Sequence, residues 1–329
     1  MLTVMRYVVI GAGAVGGSVG GRLAESGHEV VLVARGAHLA ALRTVGLRLV
    51  TPEADRMLHV ATAAGPDELE LRGDDVLLLA TKTQDSTVLL EAWGKAPVGA
   101  RTAGKILPVV CVQNGVTNER LAAERFDRVY GACVWLPSTH LQPGVVVAPC
   151  APLTGILHLG RHPDGNDDTV RAVAADLEAS RIRAPVHPDV MRWKHGKLLN
   201  NLGNAFDALF EQEDSWLPLL HQAVEEGRAA YEAAGIVTTT PEEERDARGD
   251  LMRPREIAGH PRSGGSTWQS LARGLPLETE HLNGEIVRLG RLHGVPTPVN
   301  TAVTALARVA VAVGTPPRTL TVDALHLTD

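Results

Sequence analysis

The chain lacks the patterns that mark disulfide scaffolds, metal centres, membrane spans and nucleic-acid binders. Cysteine occurs only at Cys111, Cys133 and Cys150. The count is odd and no pair has C-x-x-C spacing. Reduced, mostly buried thiols in a cytoplasmic protein are therefore expected rather than a disulfide framework. The 13 histidines form no H-x-x-x-H or H-x-H pattern, which leaves a metal site without support. No window is apolar over the ~20 residues that a bilayer requires. A basic footprint is also missing: 32 basic and 38 acidic residues give a formal charge of −6, whereas phosphate backbones are bound by excess positive charge. Nucleic acid and membrane are thereby set aside as partners. The N-terminal MLTVMRYVVIGAGAVGG is apolar and small enough to imitate a signal peptide, but it has no basic n-region and fits a strand and turn better. Met5 can serve as the start, with MLTV a leader without structural role.

The rest is ordinary globular material. A hydrophobic share of 44% over 329 residues allows one large or two medium domains with real cores. The first half alternates short apolar runs with helical segments. YVVIGAG, EVVLVAR, DDVLLLATK, ILPVVCVQNGV and VYGACVWL read as buried strands, and VGGSVGGRLAESG and HLAALRTVG as helices. Strands alternating with helices imply βαβ units and a doubly wound parallel sheet. GVVVAP and GILHLG suggest an added hairpin or antiparallel edge, and DDTVRAVAADLEASR an amphipathic helix behind an Asp or Asn cap. From Pro188 onward no convincing strand is visible. Helices are expected near 190–210, 216–235, 241–250, 266–273, 278–293 and 298–313, then an irregular tail. The expected architecture is an α/β Rossmann-type domain over 1–187 followed by an all-α domain over 188–329.

The glycines of VVIGAGAVGG stand in G-x-G-x-x-G spacing, at Gly11, Gly13 and Gly16, where a strand becomes a helix. Gly11 permits the tight turn, Gly13 close approach of backbone to a pyrophosphate, and Gly16 close packing of helix on sheet. With Ala12, Ala14 and Val15 they form a dinucleotide-binding loop at a helix N-terminus. The second strand ends in Arg35, where an NAD site would carry an acid for the ribose hydroxyl. A cation there suits a 2′-phosphate, so NADP(H) is the expected cofactor. Two further strand ends deliver Lys82, a candidate for the adenosine-phosphate side, and Asn114, which could reach nicotinamide or substrate.

In KHGKLLNNLGNA, Asn is unusually dense for a helix. On a continuous wheel, Asn201 lies about +40° from Lys197, Asn204 about −20° and Asn200 about −60°, with leucines behind. One lysine and several amides thus share a front suited to a polar cleft.

GAGAVGG, ATKTQD, QNGVTNE, KLLNN and GGSTWQSLARGLPLETEHLNGEIVRLGRLHGVPTPVN together resemble the ketopantoate reductases (2-dehydropantoate 2-reductases), in order and over nearly the whole chain. The resemblance implies a Rossmann-type domain, a helical domain of the 6-phosphogluconate-dehydrogenase type, and NADPH-dependent reduction of a 2-oxo acid. It assigns Lys197 as catalytic lysine and Asn201 as substrate-binding amide. Asn114 falls near nicotinamide and substrate, Ser266 at the substrate carboxylate, and Glu278 at the substrate hydroxyl and cofactor. Arg35 and Lys82 match the phosphate side. The chain departs from the pattern at Ala205 and Ser215, where the family has Asn; Asn204 is the neighbour that could substitute. Trp193 is also spaced more widely from Lys197 than usual, which makes Lys194 a rival. Alternatives are a reductase of another 2-oxo acid, a non-catalytic NADP-binding sensor, and a β-hydroxyacid-type dehydrogenase. The implied partner is a small 2-oxo acid; a homodimer is left open.

Overall fold

The computed structural model describes residues 5–211, 214–261 and 264–326, so the MLTV leader and the last three residues of the tail lie outside it. The strands are β1 (Arg6–Ile10), β2 (Glu29–Val33), β3 (Leu47–Val50), β4 (Asp55–Leu58), β5 (Ala61–Ala63) and β6 (Asp75–Leu79). A small hairpin of β7 (Pro97–Val98) and β8 (Arg101–Thr102) precedes β9 (Val109–Cys111) and β10 (Val129–Trp135). There follow β11 (Val145–Val147), β12 (Cys150–Pro152), β13 (Gly155–Arg161), β14 (Ile182–Arg183) and, far along the chain, β15 (Met252–Pro254). The helices of the first half are α1 (Ala14–Glu25), α2 (Gly36–Thr44), α3 (Thr83–Lys95), α4 (Ala103–Ile106), α5 (Asn118–Ala123) and α6 (Asp168–Ala179). Those of the second are α7 (Val190–Asn201), α8 (Gly203–Leu209), α9 (Leu217–Ala233), α10 (Pro241–Arg248), α11 (Ser266–Ala272), α12 (Asn283–His293) and α13 (Pro298–Val313).

The chain divides into two compact units, one of residues 1–193 with 241–261, the other of 194–240 with 262–329. In the first, eight strands run in the order β14-β13-β10-β9-β6-β1-β2-β5. From β5 to β10 every pairing is parallel; β13 turns antiparallel against β10, and β14 runs parallel to β13. The chain leaves β1 for β2 on one side and returns to β6 on the other. That reversal makes the carboxyl ends of β1 and β6 the topological switch point, where such sheets bind ligands. Strand alternation sends Tyr7 and Val9 into one apolar layer, with α1 and α6, and Val8 and Ile10 into the other, with α3, α4 and α5. The acidic start of β6 has a structural use: Asp75 is buried and takes the Arg6 guanidinium at 2.6 and 2.7 Å, tying β6 to β1. Asp167 caps α6 as expected, accepting the Val170 amide at 3.0 Å.

Two expectations are corrected here. Of the two readings of GVVVAP and GILHLG, the hairpin is not formed, but GILHLG is β13, antiparallel to β10 near one end of the sheet, whereas β11 joins β3 in parallel, in a separate sheet with β4. Val146 of β11 fits against Gly17 of α1, where a Cβ would lie 2.7 Å from its methyl. The stretch after Pro188 also holds a strand, since β15 pairs antiparallel with β12. That pairing, with Arg192 bonding Glu243 at 2.6 Å, attaches the 241–261 segment to the α/β unit.

The helical unit is built on a core of Phe206, Leu209, Phe210, Val299, Val303 and their neighbours. Inside it runs a buried polar network. Glu226 accepts the amides of Val299 and Asn300 at 2.9 and 3.0 Å and Asn300 Nδ2 at 2.7 Å. Asn283 Nδ2 donates to Asn300 Oδ1 at 3.0 Å and to the Leu202 carbonyl at 3.2 Å. Leu202 is where the expected 190–210 helix is interrupted, between α7 and α8. No helix among the described residues is long and apolar enough to cross a membrane. Asn283→Ala leaves two buried acceptors short of a donor and should cost about 2–3 kcal/mol. Asp167→Ala removes the α6 cap together with the acceptor of the Tyr130 hydroxyl, 2.8 Å away, and should cost about 1–2 kcal/mol. Chemical denaturation of both variants beside the parent checks the difference.

Candidate active site

The Gly loop sits at the switch point. Gly11 has φ +102°, a conformation side chains disfavour, and a Cβ there would meet Thr81 at 2.6 Å. The amides of Gly11 and Ala12 both donate to the Val33 carbonyl, at 3.1 and 3.0 Å, which pins the loop to β2. Gly16 is closed to any side chain, because its Cβ would collide with the Gly11 carbonyl oxygen. Gly13 is the opposite case, with open space around its Cβ position, at the N-cap of α1. A dense floor at Gly16 and an open step at Gly13, followed by Ala14 and Val15 in the first helical turn, fit a dinucleotide pyrophosphate.

Around this loop the same edge gathers the other candidates of the α/β unit. Arg35 follows β2 as the N-cap residue of α2, with its side chain 85% exposed, and pairs with Asp85 at 3.0 Å. Lys82 is the half-buried N-cap residue of α3, just after β6. Asn114 is half-buried in the turn after β9, beside Gly115 at φ +79°. These turns are stapled by side chains that the motifs alone did not single out. Gln113 Nε2 donates to the Thr81 carbonyl at 2.8 Å and to Ser86 Oγ at 3.0 Å, and Asn118 Nδ2 donates to Thr83 Oγ1 at 3.1 Å. Both amides flank the QNGVTN turn, which was the available signal. Asp85 was also in view, as the last residue of ATKTQD.

In the helical unit, Lys197 and Asn201 lie one turn apart on α7, both half-buried. Asn201 Oδ1 is buried and has no hydrogen-bond partner. A buried acceptor without a donor is costly, and a bound hydroxyl would satisfy it. Asn200 is exposed. Asn204 is half-buried on α8, past Leu202, whose backbone between α7 and α8 stays right-handed helical. Ala205 is 1% exposed and packs in the helical core, and Ser215 is exposed on a 3-10 turn. Ser266 opens α11, which packs on α8, and is half-buried. Glu278 is buried just ahead of the turn that leads into α12.

Lys194, the rival of Lys197, is buried on α7. Next to it, burial and then the Lys194 charge push His195 down to about 4, so its imidazole is neutral at physiological pH. It packs edge-on against Tyr231 at 5.0 Å, a structural role. Trp193 likewise stacks on His158, with ring centroids 4.0 Å apart.

Two family models match the chain: "Ketopantoate reductase PanE/ApbA" over residues 7–162 and "Ketopantoate reductase PanE/ApbA C terminal" over 189–311. The 2-dehydropantoate 2-reductase of Halobacterium salinarum is 30% identical over 319 residues, covering 93% of this chain and 99% of that one. Among solved structures, a PanE/ApbA family ketopantoate reductase from Ralstonia eutropha superposes with a TM-score of 0.76 at 28% identity, covering 94% and 99% of the two chains. A D-mandelate dehydrogenase with NADH and anilino(oxo)acetate shares the fold, with a TM-score of 0.78 at 21% identity over 94% and 99%. The chain belongs to the ketopantoate reductase family of NADP-dependent oxidoreductases.

Proposed function

We propose that this protein reduces the ketone of a 2-oxo acid, 2-dehydropantoate, to the 2-hydroxy acid, with NADPH as cofactor. The carrying observation is the front of α7, where Lys197 stands one turn from Asn201 and its buried, unpartnered Oδ1. NADPH, when bound, supplies the hydride that adds to the ketone carbon. Negative charge then develops on the ketone oxygen. The Lys197 ammonium stabilises that charge and transfers a proton to it, acting as electrostatic stabiliser and general acid. Asn201 Oδ1 accepts from the hydroxyl being formed or already present, and Ser266 donates to the carboxylate. Asn114, Asn204 and Glu278 orient substrate and cofactor.

On the cofactor side, Gly11 to Gly16 hold the pyrophosphate, and Arg35 and Lys82 hold the 2′-phosphate. The Arg35–Asp85 pair is exposed, so its own stabilisation is small and it yields readily to a phosphate. Cys111, Cys133 and Cys150 are buried thiols outside any disulfide, which fits a cytoplasmic site of action. A homodimer belongs to the same reading. It is supported by Leu292, Val309 and Val313, which are 67%, 55% and 71% exposed on α12 and α13.

NADPH oxidation followed across a panel of 2-oxo acids tests the substrate. Turnover of 2-dehydropantoate well above that of aromatic and short-chain analogues is expected; preference for another acid overturns the substrate, and no oxidation with any overturns the reductase. Lys197→Ala should lower kcat by about a hundredfold or more while NADPH still binds. Near-normal turnover there, with loss in Lys194→Ala, moves the role to Lys194. Arg35→Glu should weaken NADPH much more than NADH. Removing the competing carboxylate in Asp85→Asn should tighten NADPH by up to about fivefold and leave NADH unchanged. Binding titrations with both nucleotides read these two.

A further inference from the structure

His38, on α2, contacts the Gly loop from behind. Its Nδ1 accepts from the Gly144 amide at 2.9 Å, and a nitrogen that accepts carries no proton. Its Nε2 lies 2.8 Å from the Ala12 carbonyl oxygen, which can only accept, so Nε2 carries the proton and donates. The two contacts together select one state, the neutral imidazole protonated at Nε2. The His140 ring packs against it with centroids 4.2 Å apart, and His140 Nδ1 sits 3.0 Å from the Val145 carbonyl oxygen. The imidazole therefore joins three segments: α2, the Gly loop and the turn that leads into β11.

The carbonyl it holds shares a peptide unit with the Gly13 amide. That unit is trans, since the only cis bonds among the described residues precede Pro152 and Pro163. In a planar trans peptide the C=O and N–H point in opposite directions. Fixing the Ala12 oxygen toward His38 thus aims the Gly13 N–H away from it. The amides of Gly11 and Ala12 are taken by the Val33 carbonyl. Gly13 is the first amide of the loop not engaged by the sheet, and the space at its Cβ position is open.

We propose that His38 is a positioning residue for the cofactor. By binding the Ala12 carbonyl it holds the Gly13 N–H in the direction from which it donates to the dinucleotide pyrophosphate. This rests on the reductase reading above. It assigns a role in affinity for the cofactor and none in the transfer of hydride or proton.

The experiment compares His38→Ala, His38→Asn and His38→Gln in the full-length protein by NADPH binding and by steady-state kinetics. Gln reaches far enough for its amide N–H to replace Nε2–H toward Ala12. Asn places an acceptor near Gly144 but falls short of Ala12. Losing one such bond weakens binding roughly fivefold to tenfold. NADPH affinity should fall by that factor in the Ala and Asn variants and return toward the parent value in the Gln variant. Throughout, kcat at saturating NADPH and KM for the 2-oxo acid should stay within about twofold. If the Ala variant does not fold, the difference between Asn and Gln decides the same question. Parent-like NADPH binding in the Asn variant, Gln no better than Asn, or a loss confined to kcat overturns the proposal while leaving the reductase intact. Failure of the parent protein to bind NADPH overturns the reductase reading and this role with it.

Discussion

The helical unit depends on one buried carboxylate. Glu226 faces the first turn of α13 and takes two backbone amides that the helix itself cannot satisfy. Negative charge at a helix N-terminus is favourable, and Pro298 at the start of α13 has no amide to lose. The carboxylate also accepts Asn300 Nδ2, whose second hydrogen goes to the Ala223 carbonyl at 2.9 Å. Asn300 Oδ1 then engages Asn283, and Asn283 engages Leu202. One charge thereby organises α9, α13 and α12 and reaches the interruption behind Asn201. In a low-dielectric interior such a chain of bonds is costly to break at any link.

The α/β unit is governed by close approach instead. Gly16 must lack a side chain because the Gly11 carbonyl occupies that space, and Gly17 because Val146 does. This brings α1 onto the sheet near the loop. The turns that carry Lys82 and Asn114 are held to one another by the amides of Gln113 and Asn118. Loops lined by hydrogen bonds keep their shape while presenting polar surface, which a nucleotide site needs.

Much of this was readable in the residues. The Gly spacing, the apolar runs of β1, β2, β6, β9 and β10, the Asp167 cap and the placement of the later helices follow from local periodicity and capping. The errors were non-local. β11 pairs with β3 from about a hundred residues away, and β15 pairs with β12 across a similar distance. A three-residue strand carries too little pattern to declare itself, and nothing local names its partner. The wheel drawn through 190–210 did not show that the Leu202 carbonyl, between α7 and α8, is taken by Asn283, because Asn283 lies on another helix.

The roles of individual polar residues divide along the same line. LNG and HGVPTPVN belong to the stretch that carries the family resemblance, and their Asn283 and Asn300 serve the frame of the helical unit, while the nearby Glu278 is the site candidate. By itself the sequence determined the fold class, the Gly-rich turn from β1 into α1 and the spacing of Lys197 and Asn201 on α7, since each is a pattern of residues close along the chain. Only the tertiary structure decided that His38 grips the loop, that Asp85 faces Arg35 and that Glu226 anchors α13. Those are pairings of single polar groups distant in sequence. A hydrogen bond or ion pair is set by distance and direction in space, which residue type and spacing do not encode.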